Sequence, residues 1–473
     1  MTRALFLFEA LRMARHPLVW GATALVLALQ TYLSWDQQPD LSVDPVHATG
    51  LSTCLAGAVL IVASLAVSRD GRHGMPESLA GLPGRAEHRT RAILLATPLV
   101  AGLAAAVAVG GYLAIRLLSG PAGGKLDVWE PLTAVAASMF AATLGAAIGR
   151  WARWLIAGPI VVAVLGFLIF TNFQNGAAGW LLPVMQEDRP DWPDRPSAVH
   201  LVYVVALTIV FGGLALLRHR LRIVPLAAVV AALAVAVPSG ATAAAEPPIV
   251  RFPVGRPLSL SDVDPRVRER YFGPDARRCS TRHGITYCAY KGYEPWIPLW
   301  ESVVRPAADV LPADLRARLP SVQQTSMAWL YTDPPEIRPT MAWGHPDQRI
   351  LLAQDVASWA ADIKIPVGTA RVGCDAYGQA RTVVMLWIIG QVAPPEPPRL
   401  LRAGSDFGRS TVLRWGPAEV AYAKLLLHTP DARAKVQAHW DTLMKPTTTI
   451  DQALPLLGLP RTHAAPTGAR PCP

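Results

Sequence analysis

Seven runs of mostly apolar residues fill the first half of the chain, and they constrain its fold more than any other feature. They span residues 17–35, 49–67, 92–118, 131–149, 154–171, 199–217 and 223–243. A membrane-spanning helix needs about 20 apolar residues, and each run is close to that length. Beyond residue 243 apolar residues are diluted, although the whole chain is 52% hydrophobic. The sequence therefore predicts a mainly α protein, with a polytopic helical membrane domain followed by a separate domain.

The arginines between the runs predict the orientation in the membrane. They cluster in alternate gaps, at Arg3, Arg12 and Arg15, at Arg69, Arg72, Arg85, Arg89 and Arg91, at Arg150 and Arg153, and at Arg218, Arg220 and Arg222. The other gaps are acidic or balanced. Because cytoplasmic loops carry an excess of arginine and lysine, the N-terminus is predicted to be cytoplasmic, in a plasma membrane. The net charge of +10 then reflects topology and not a nucleic-acid surface.

The seventh run, residues 223–243, has two interpretations. It follows the basic RHRLR and ends in the small residues of ATAAA, as a signal peptide does. It is either an uncleaved seventh helix or an export signal that is cleaved near residues 241–245. In both cases residues 246–473 are predicted to be extracytoplasmic.

Helical periodicity dominates the predicted extracytoplasmic domain, where strand-like stretches are few and short. RTVVMLWIIGQVA, residues 381–393, is either an eighth crossing or a buried helix, and its short length favours the buried helix. Trp180 in GWLLPVM belongs either to an interfacial or re-entrant piece of the membrane domain or to a plain loop. We therefore expect an α-rich domain over residues 246–473.

Four of the five cysteines, Cys279, Cys288, Cys374 and Cys472, fall in this domain. In an oxidising compartment they are disulfide candidates, with free thiols and a metal site as the alternatives. Cys279 and Cys288 flank STRHGITY, where Gly284 suits a hairpin turn, so their pairing is the easiest to form. Cys374 and Cys472 would then tie the C-terminal tail to the domain, and Cys54 is expected to pack inside a crossing.

Motifs for catalysis, cofactors or metals are not found. The chain has no H-E-x-x-H and no G-x-S-x-G, and the histidines outside the apolar runs lack ligand spacing. We therefore predict no enzymatic activity and no catalytic, cofactor or metal residues. Tyr293, Trp296 and Trp300 form an aromatic cluster that is either a ligand groove or part of the core.

Ionisable residues are missing from the middles of the predicted crossings. Arg116 lies close to the end of one crossing, where it can extend its charge to the interface. Ion-coupled carriers usually need an ionisable group inside the membrane. An energy source in another protein is therefore favoured.

The segment SRDGRHGMPESLAGLPGRAEHRTR, residues 68–91, joins the second and third runs on the predicted cytoplasmic side. A plain loop would explain its charge. It would not explain its length or the apolar Met75, Leu79 and Leu82, which can fill a groove on a partner, with Glu77 and the arginines as a polar rim. We interpret the segment as a docking element.

Over residues 1–222 the chain resembles an ABC-2 type ABC transporter permease. LFLFEALRMARHPLVW matches the amphipathic cytoplasmic helix that begins such proteins, and the Gly, Glu and Leu-Pro order of residues 68–91 matches their coupling helix. The resemblance implies that this helix docks on a separately encoded ABC ATPase. The coupling residues it implies are Gly74, Met75, Glu77, Leu79, Leu82 and Pro83. Pro76 departs from the pattern, and residues 223–473 lie outside the resemblance.

The resemblance implies the membrane subunit of an ATP-driven exporter. The chain would act with a second copy or a paralogue, ATP would enter through the partner ATPase, and the substrate would be hydrophobic, amphipathic or peptide-like. One alternative is a membrane-anchored sensor or accessory protein with a ligand-binding ectodomain. Another is an ectoenzyme on a multi-span anchor.

Overall fold

Each of the seven apolar runs is helical in the computed structural model, which describes residues 2–69, 86–152, 154–171, 176–185, 195–218, 221–245, 260–325, 336–339, 343–363, 375–395, 413–464 and 472. The described helices of a first unit, Met1–Arg251, are α1 Thr2–Ala14, α2 Pro17–Leu33, α3 Asp44–Ser68, α4 Ala86–Ser119, α5 Trp129–Trp151, α6 Ala157–Thr171, α7 Ser197–Leu217 and α8 Ile223–Ala244, with a 3-10 turn at Gly176–Leu181. Five of them, α3, α4, α5, α7 and α8, are long and apolar enough to cross a membrane. The apolar helices α2 and α6 have 17 and 15 residues. The predicted mainly α fold is confirmed, and its first unit is that of a multi-pass membrane protein.

Glycines bring α3 and α5 together at the centre of this unit. A side-chain carbon added at Gly145 would stand 2.9 Å from the carbonyl carbon of Leu60, and one at Gly149 would stand 3.1 Å from that of Ser64. Small residues at helix interfaces let two backbones approach closely inside a membrane. The α3–α5 pair is therefore the core on which the other helices pack.

The helix α8 extends through the sequence that resembles a cleavage site. It packs on α7, and its buried residues are mostly small, among them Val229, Ala232, Ala236, Ser239, Gly240 and Ala243. Ala243, inside ATAAA, is fully buried in a cluster with Trp180 and Met185. The run is thus one helix over Ile223–Ala244, and both the retained helix and the cleaved export signal stay predictions from the sequence.

The second unit, Phe252–Pro473, contains short helices and a small sheet in its described part. The helices are α9 Pro265–Phe272, α10 Ile297–Asp309, α11 Ala313–Ala317, α12 Pro346–Ala360, α13 Ala380–Ile389, α14 Pro417–Leu427, α15 Ala432–Ala438, α16 Trp440–Leu443 and α17 Ile450–Leu457. The strands β1 Arg277–Arg282, β2 Ile285–Tyr290 and β3 Val322–Gln323 follow the order β1-β2-β3, with β1 antiparallel and β3 parallel to β2. The unit is thus rich in helix.

Local sequence explains where several of these elements begin and turn. Thr449 and Gln452 form a capping box at the start of α17, where the sequence offers Thr and Asp. The β1–β2 hairpin turns at His283 and Gly284, which both have positive φ, as a two-residue hairpin turn requires. The disulfide predicted between Cys279 and Cys288 is present across this hairpin.

The apolar helix α13 is the centre of the second unit. All ten of its residues are buried, and it packs against α12 and α14. It is too short to cross a membrane. The structure therefore agrees with the buried-helix interpretation of residues 381–393 and not with an eighth crossing.

Candidate functional site

The candidate site lies around residues 68–91, which join α3 to α4. The residues assigned to ATPase coupling, Gly74, Met75, Glu77, Leu79, Leu82 and Pro83, lie outside the described residues, as does Pro76. The ends of the segment are described. Arg69, at the first end of the segment, pairs with the buried Glu9, and Arg91, at the second end, pairs with the buried Glu87. We call the end of the helical bundle that carries Arg69, Arg91 and Arg222 the arginine end.

Glu9 of α1 holds the first end of the segment. Its carboxylate lies 2.8 Å from the guanidinium of Arg69 and 3.8 Å from that of Arg12. The side chain of Glu9 is only 9% exposed, whereas that of Arg69 is 32% exposed. Because a buried carboxylate is strongly destabilising without a partner, the pair fixes the end of α3 to the N-terminal helix.

Glu87 holds the second end, in the first turn of α4. One carboxylate oxygen lies 2.6 Å from Arg91 of the same helix, and the other lies 2.8 Å from Arg222, the residue before α8. A carboxylate is also favoured at this position by the helix dipole. Glu87 therefore connects the segment to the start of α8, a helix that is remote in sequence.

An apolar cavity of about 460 Å³ lies between the helices of the first unit. It is lined by residues of α2, α3, α5 and α6 and by Pro183 and Val184. Apart from Thr53 and Cys54 the lining residues are apolar, and the Thr53 hydroxyl already donates to the Gly50 carbonyl at 2.7 Å. Such a cavity favours apolar occupants over water.

The shape of the cavity follows from the path of α6. At its start this helix is close to α3, where a carbon added at Gly158 would be 3.1 Å from the Ser64 hydroxyl. Further along, a carbon added at Gly166 would meet nothing within 4 Å. The two helices thus diverge away from the arginine end, and the cavity lies where they separate.

The end of the bundle opposite the arginine end is covered by Gly176–Met185. The buried side chain of Trp180 packs edge-to-face on His200, with 5.1 Å between the ring centres. The guanidinium of Arg195 stacks on the Trp180 ring at 5.0 Å. Arg195 also pairs with the buried Glu130 at 2.7 Å. Trp180 is therefore part of an ordered covering segment, which agrees with the interfacial interpretation and not with a plain loop.

Arg116, near the end of α4, is held by the connection between α2 and α3. It is 3% exposed, and its guanidinium pairs with Asp44 at 2.9 Å. It also donates to the carbonyls of Ser34, Gln37 and Gln38. The helix α3 begins at Asp44, whereas the sequence predicts the start of the second crossing at residue 49. The additional helical turn contains Asp44, which is stabilised there by its ion pair with Arg116.

In the second unit the three aromatic residues of the possible ligand groove are buried. Trp296 and Trp300 have no exposed surface, and Tyr293 packs edge-to-face on Trp296 at 4.9 Å. Their placement favours the core interpretation of this cluster. Within the described part of the chain, no three or more His, Cys, Asp or Glu side chains are grouped to hold a metal ion.

Nearby, Tyr287 of β2 is also fully buried, and no hydrogen-bond partner of its hydroxyl is found among the described residues. Burial, followed by the charge of Glu301, raises the pKa of Tyr287 above its usual value. Glu301 itself accepts from His283 at 2.6 Å and lies 3.4 Å from Arg282. These contacts stabilise the turn of the hairpin.

The remaining cysteines are at the C-terminal tail and in the membrane unit. Cys472 is disulfide-bonded, and Cys374, the partner that the sequence proposes, lies outside the described residues. The Cys472 carbonyl accepts from the fully buried Arg381 of α13 at 2.7 Å, and burial lowers the pKa of Arg381. Cys54 is free and exposed in the cavity instead of packed inside a crossing.

Sequence reasoning missed the ion pairs that Glu9 makes with Arg69 and that Glu87 makes with Arg222. A weak signal existed, since the two glutamates are isolated acids among arginines. Comparison of the chain with protein-family models, with curated proteins and with solved structures finds no match. The class that the structure itself defines is a multi-pass helical membrane protein with a helix-rich, disulfide-containing second unit.

Proposed function

We propose that this chain is the membrane subunit of an ATP-driven exporter of the ABC-2 type. Residues 68–91 would be cytoplasmic and would dock on a separately encoded ABC ATPase. The observation that carries the proposal is the attachment of both ends of this segment by buried carboxylates, Glu9 and Glu87. Attached in this way, the segment would transmit a movement of its partner to α3, α4 and α8, because packed helices move as rigid elements.

The apolar cavity supports an exporter over a simple anchor. Its walls come from four helices, and one of them, α3, ends at the first residues of the proposed docking segment. Substrate contacts there would be apolar, in keeping with a hydrophobic or amphipathic substrate. The chain would act with a second copy or a paralogue, and the second unit would be extracytoplasmic, where it would receive the substrate or control its release.

The test is purification of the tagged full chain from its native membrane in a mild detergent. An ABC ATPase should accompany the wild type in near-stoichiometric amount and should be lost in the double variant Glu77→Ala with Leu79→Ala. Ser78→Ala is the matched control, since Ser78 lies between them but outside the proposed apolar stripe. Membrane yield of all variants is measured in parallel.

Two results would overturn the proposal. One is a wild type without any ATPase, under conditions that retain other ABC complexes. The other is an unchanged amount of ATPase in the double variant. Co-purification of a kinase or a protease instead would favour the sensor alternative.

A further inference from the structure

The helix α8 contacts the docking segment at one end of the bundle and the cover of the cavity at the other. At the arginine end, Arg222 pairs at 2.8 Å with Glu87, which lies in the last part of the segment and in the first turn of α4. At the opposite end, Ala243 packs in one cluster with Trp180 and Met185. A single helix thus contacts two regions of the unit that are separated by its full length of 22 residues.

Close packing on α7 holds α8 on both sides of Pro238, a proline inside the helix that removes one main-chain hydrogen bond. Near its start a carbon added at Gly213 of α7 would clash with Val229 and would be 3.3 Å from the Pro225 carbonyl. Near its end a carbon added at Gly240 would be 3.0 Å from the ring of Tyr203. Backbones this close have little freedom to shift independently. A displacement at one end of α8 is therefore transmitted to the other end instead of being absorbed along the helix.

The opposite end of α8 contacts the covering segment Gly176–Met185 directly and through Tyr203 of α7. Tyr203, which packs on Gly240, donates to the Leu181 carbonyl at 2.9 Å. Two residues further on, Pro183 and Val184 line the apolar cavity. This part of the cavity wall is therefore attached to α7 and α8 together.

We propose that α8 is a transmission element that couples the Glu87 flank of residues 68–91 to the cover of the cavity. Glu87 and Arg222 act as positioning residues, and Ala243 and Gly240 are the contacts that hold Gly176–Met185 in place. Separating Glu87 from Arg222 releases the arginine end of α8, and the cover loosens. Control of this movement by ATP rests on the proposed function. The connection between the Glu87–Arg222 ion pair and the covering segment Gly176–Met185 does not.

The chain provides its own reporter for the test. Cys54 is a free thiol that lines the same cavity as Pro183 and Val184. The measurement is the rate at which a membrane-impermeant maleimide labels Cys54, added from outside to intact cells or to vesicles of known orientation that contain the full chain. Cys54→Ser gives the background from any other thiol.

Three variants address the two ends of the helix. Arg222→Gln and Glu87→Gln break the ion pair from either side, and Glu87→Gln keeps the size of the buried side chain. Ala243→Leu overfills the contact with Trp180 at the opposite end. Arg218→Gln is the matched control. It also removes one positive charge near the start of α8, but Arg218 stacks on Trp151 and takes no part in the Glu87–Arg222 pair. Arg222→Lys retains the positive charge.

We expect labelling of Cys54 to rise about threefold or more in each of the three variants. For Arg222→Gln and Glu87→Gln this size is consistent with the loss of a partly exposed ion pair. Arg218→Gln and Arg222→Lys should label like the wild type. The inference is overturned if Arg222→Gln labels like the wild type, if Ala243→Leu fails to reproduce its effect, or if Arg218→Gln raises labelling equally. The experiment needs no ATPase, so its outcome is independent of the ATPase purification.

Discussion

Gly145 of α5 stands directly against the backbone of Leu60 in α3. A side-chain carbon at this glycine would be 2.9 Å from the Leu60 carbonyl carbon and closer still to its oxygen. The obstacle is backbone and not a flexible side chain, so it cannot move aside without separating the two helices. The two helices that form the core of the membrane unit therefore require glycine at this position.

Gly145→Ala should destabilise the membrane unit. Overfilling a packed interface costs about 1–3 kcal/mol. The measurement is thermal unfolding of the purified full chain in detergent. Gly110→Ala in α4 is the matched control, because nothing lies within 4 Å of a carbon added there. Equal unfolding temperatures for the two variants would contradict the proposed close contact.

The buried pair of Arg116 and Asp44 predicts a second effect on stability. Asp44→Leu leaves a guanidinium that is 3% exposed without its carboxylate. Removing one partner of a buried ion pair costs about 3–5 kcal/mol. The same thermal measurement should show this loss, whereas Arg305→Gln, which breaks a half-exposed pair with Asp309, should change little. Similar small effects of both variants would show that Asp44 is not needed to hold Arg116.

The sequence predicts the helices of the membrane unit well because apolar length is a local property. It also predicts the Cys279–Cys288 bridge, since a His-Gly turn brings both cysteines opposite each other on paired strands. It does not predict the partner of Arg116, because Asp44 lies 72 residues away and outside the predicted crossing. The position of a charge near the end of an apolar run does not indicate which residue pairs with it.

The same limit applies to the candidate site. The ion pair of Glu9 and Arg69 joins residues 60 positions apart, and no local pattern marks Glu87 as the partner of Arg222. Arg381 shows the limit most clearly, because its acceptors are mostly main-chain carbonyls, which any residue can supply. Contacts of this kind depend on the tertiary fold and leave no signature in residue types.

Tyr287 predicts a dependence of stability on alkaline pH. Burial raises its pKa in the folded chain, so the folded state keeps the phenolic proton at a pH where the unfolded state, with a pKa of about 10, has released it. The unfolded state then binds fewer protons, and stability falls as the pH rises above about 10. Tyr287→Phe should remove this contribution and make the alkaline decline of stability shallower.

At neutral pH, Tyr287→Phe should be neutral or slightly stabilising, since it removes a buried hydroxyl for which the described residues provide no partner. Hydrogen exchange of β2 in the full chain, measured at several pH values, checks both effects. Tyr377→Phe is a suitable control, because Tyr377 lies outside the sheet. A parallel pH profile for wild type and Tyr287→Phe would argue against Tyr287 as the titrating group.

The C-terminal tail predicts a difference between two ways of releasing it. Cys472→Ser removes a disulfide but keeps the main-chain carbonyl that accepts from Arg381 at 2.7 Å, whereas deletion of residues 471–473 removes both. Loss of the disulfide costs about 2–4 kcal/mol, and leaving the buried guanidinium short of an acceptor adds about 1–3 kcal/mol. Hydrogen exchange of α13 in the full chain should therefore be faster in the deletion than in Cys472→Ser. Equal rates in the two variants would mean that the carbonyl contributes nothing beyond the disulfide.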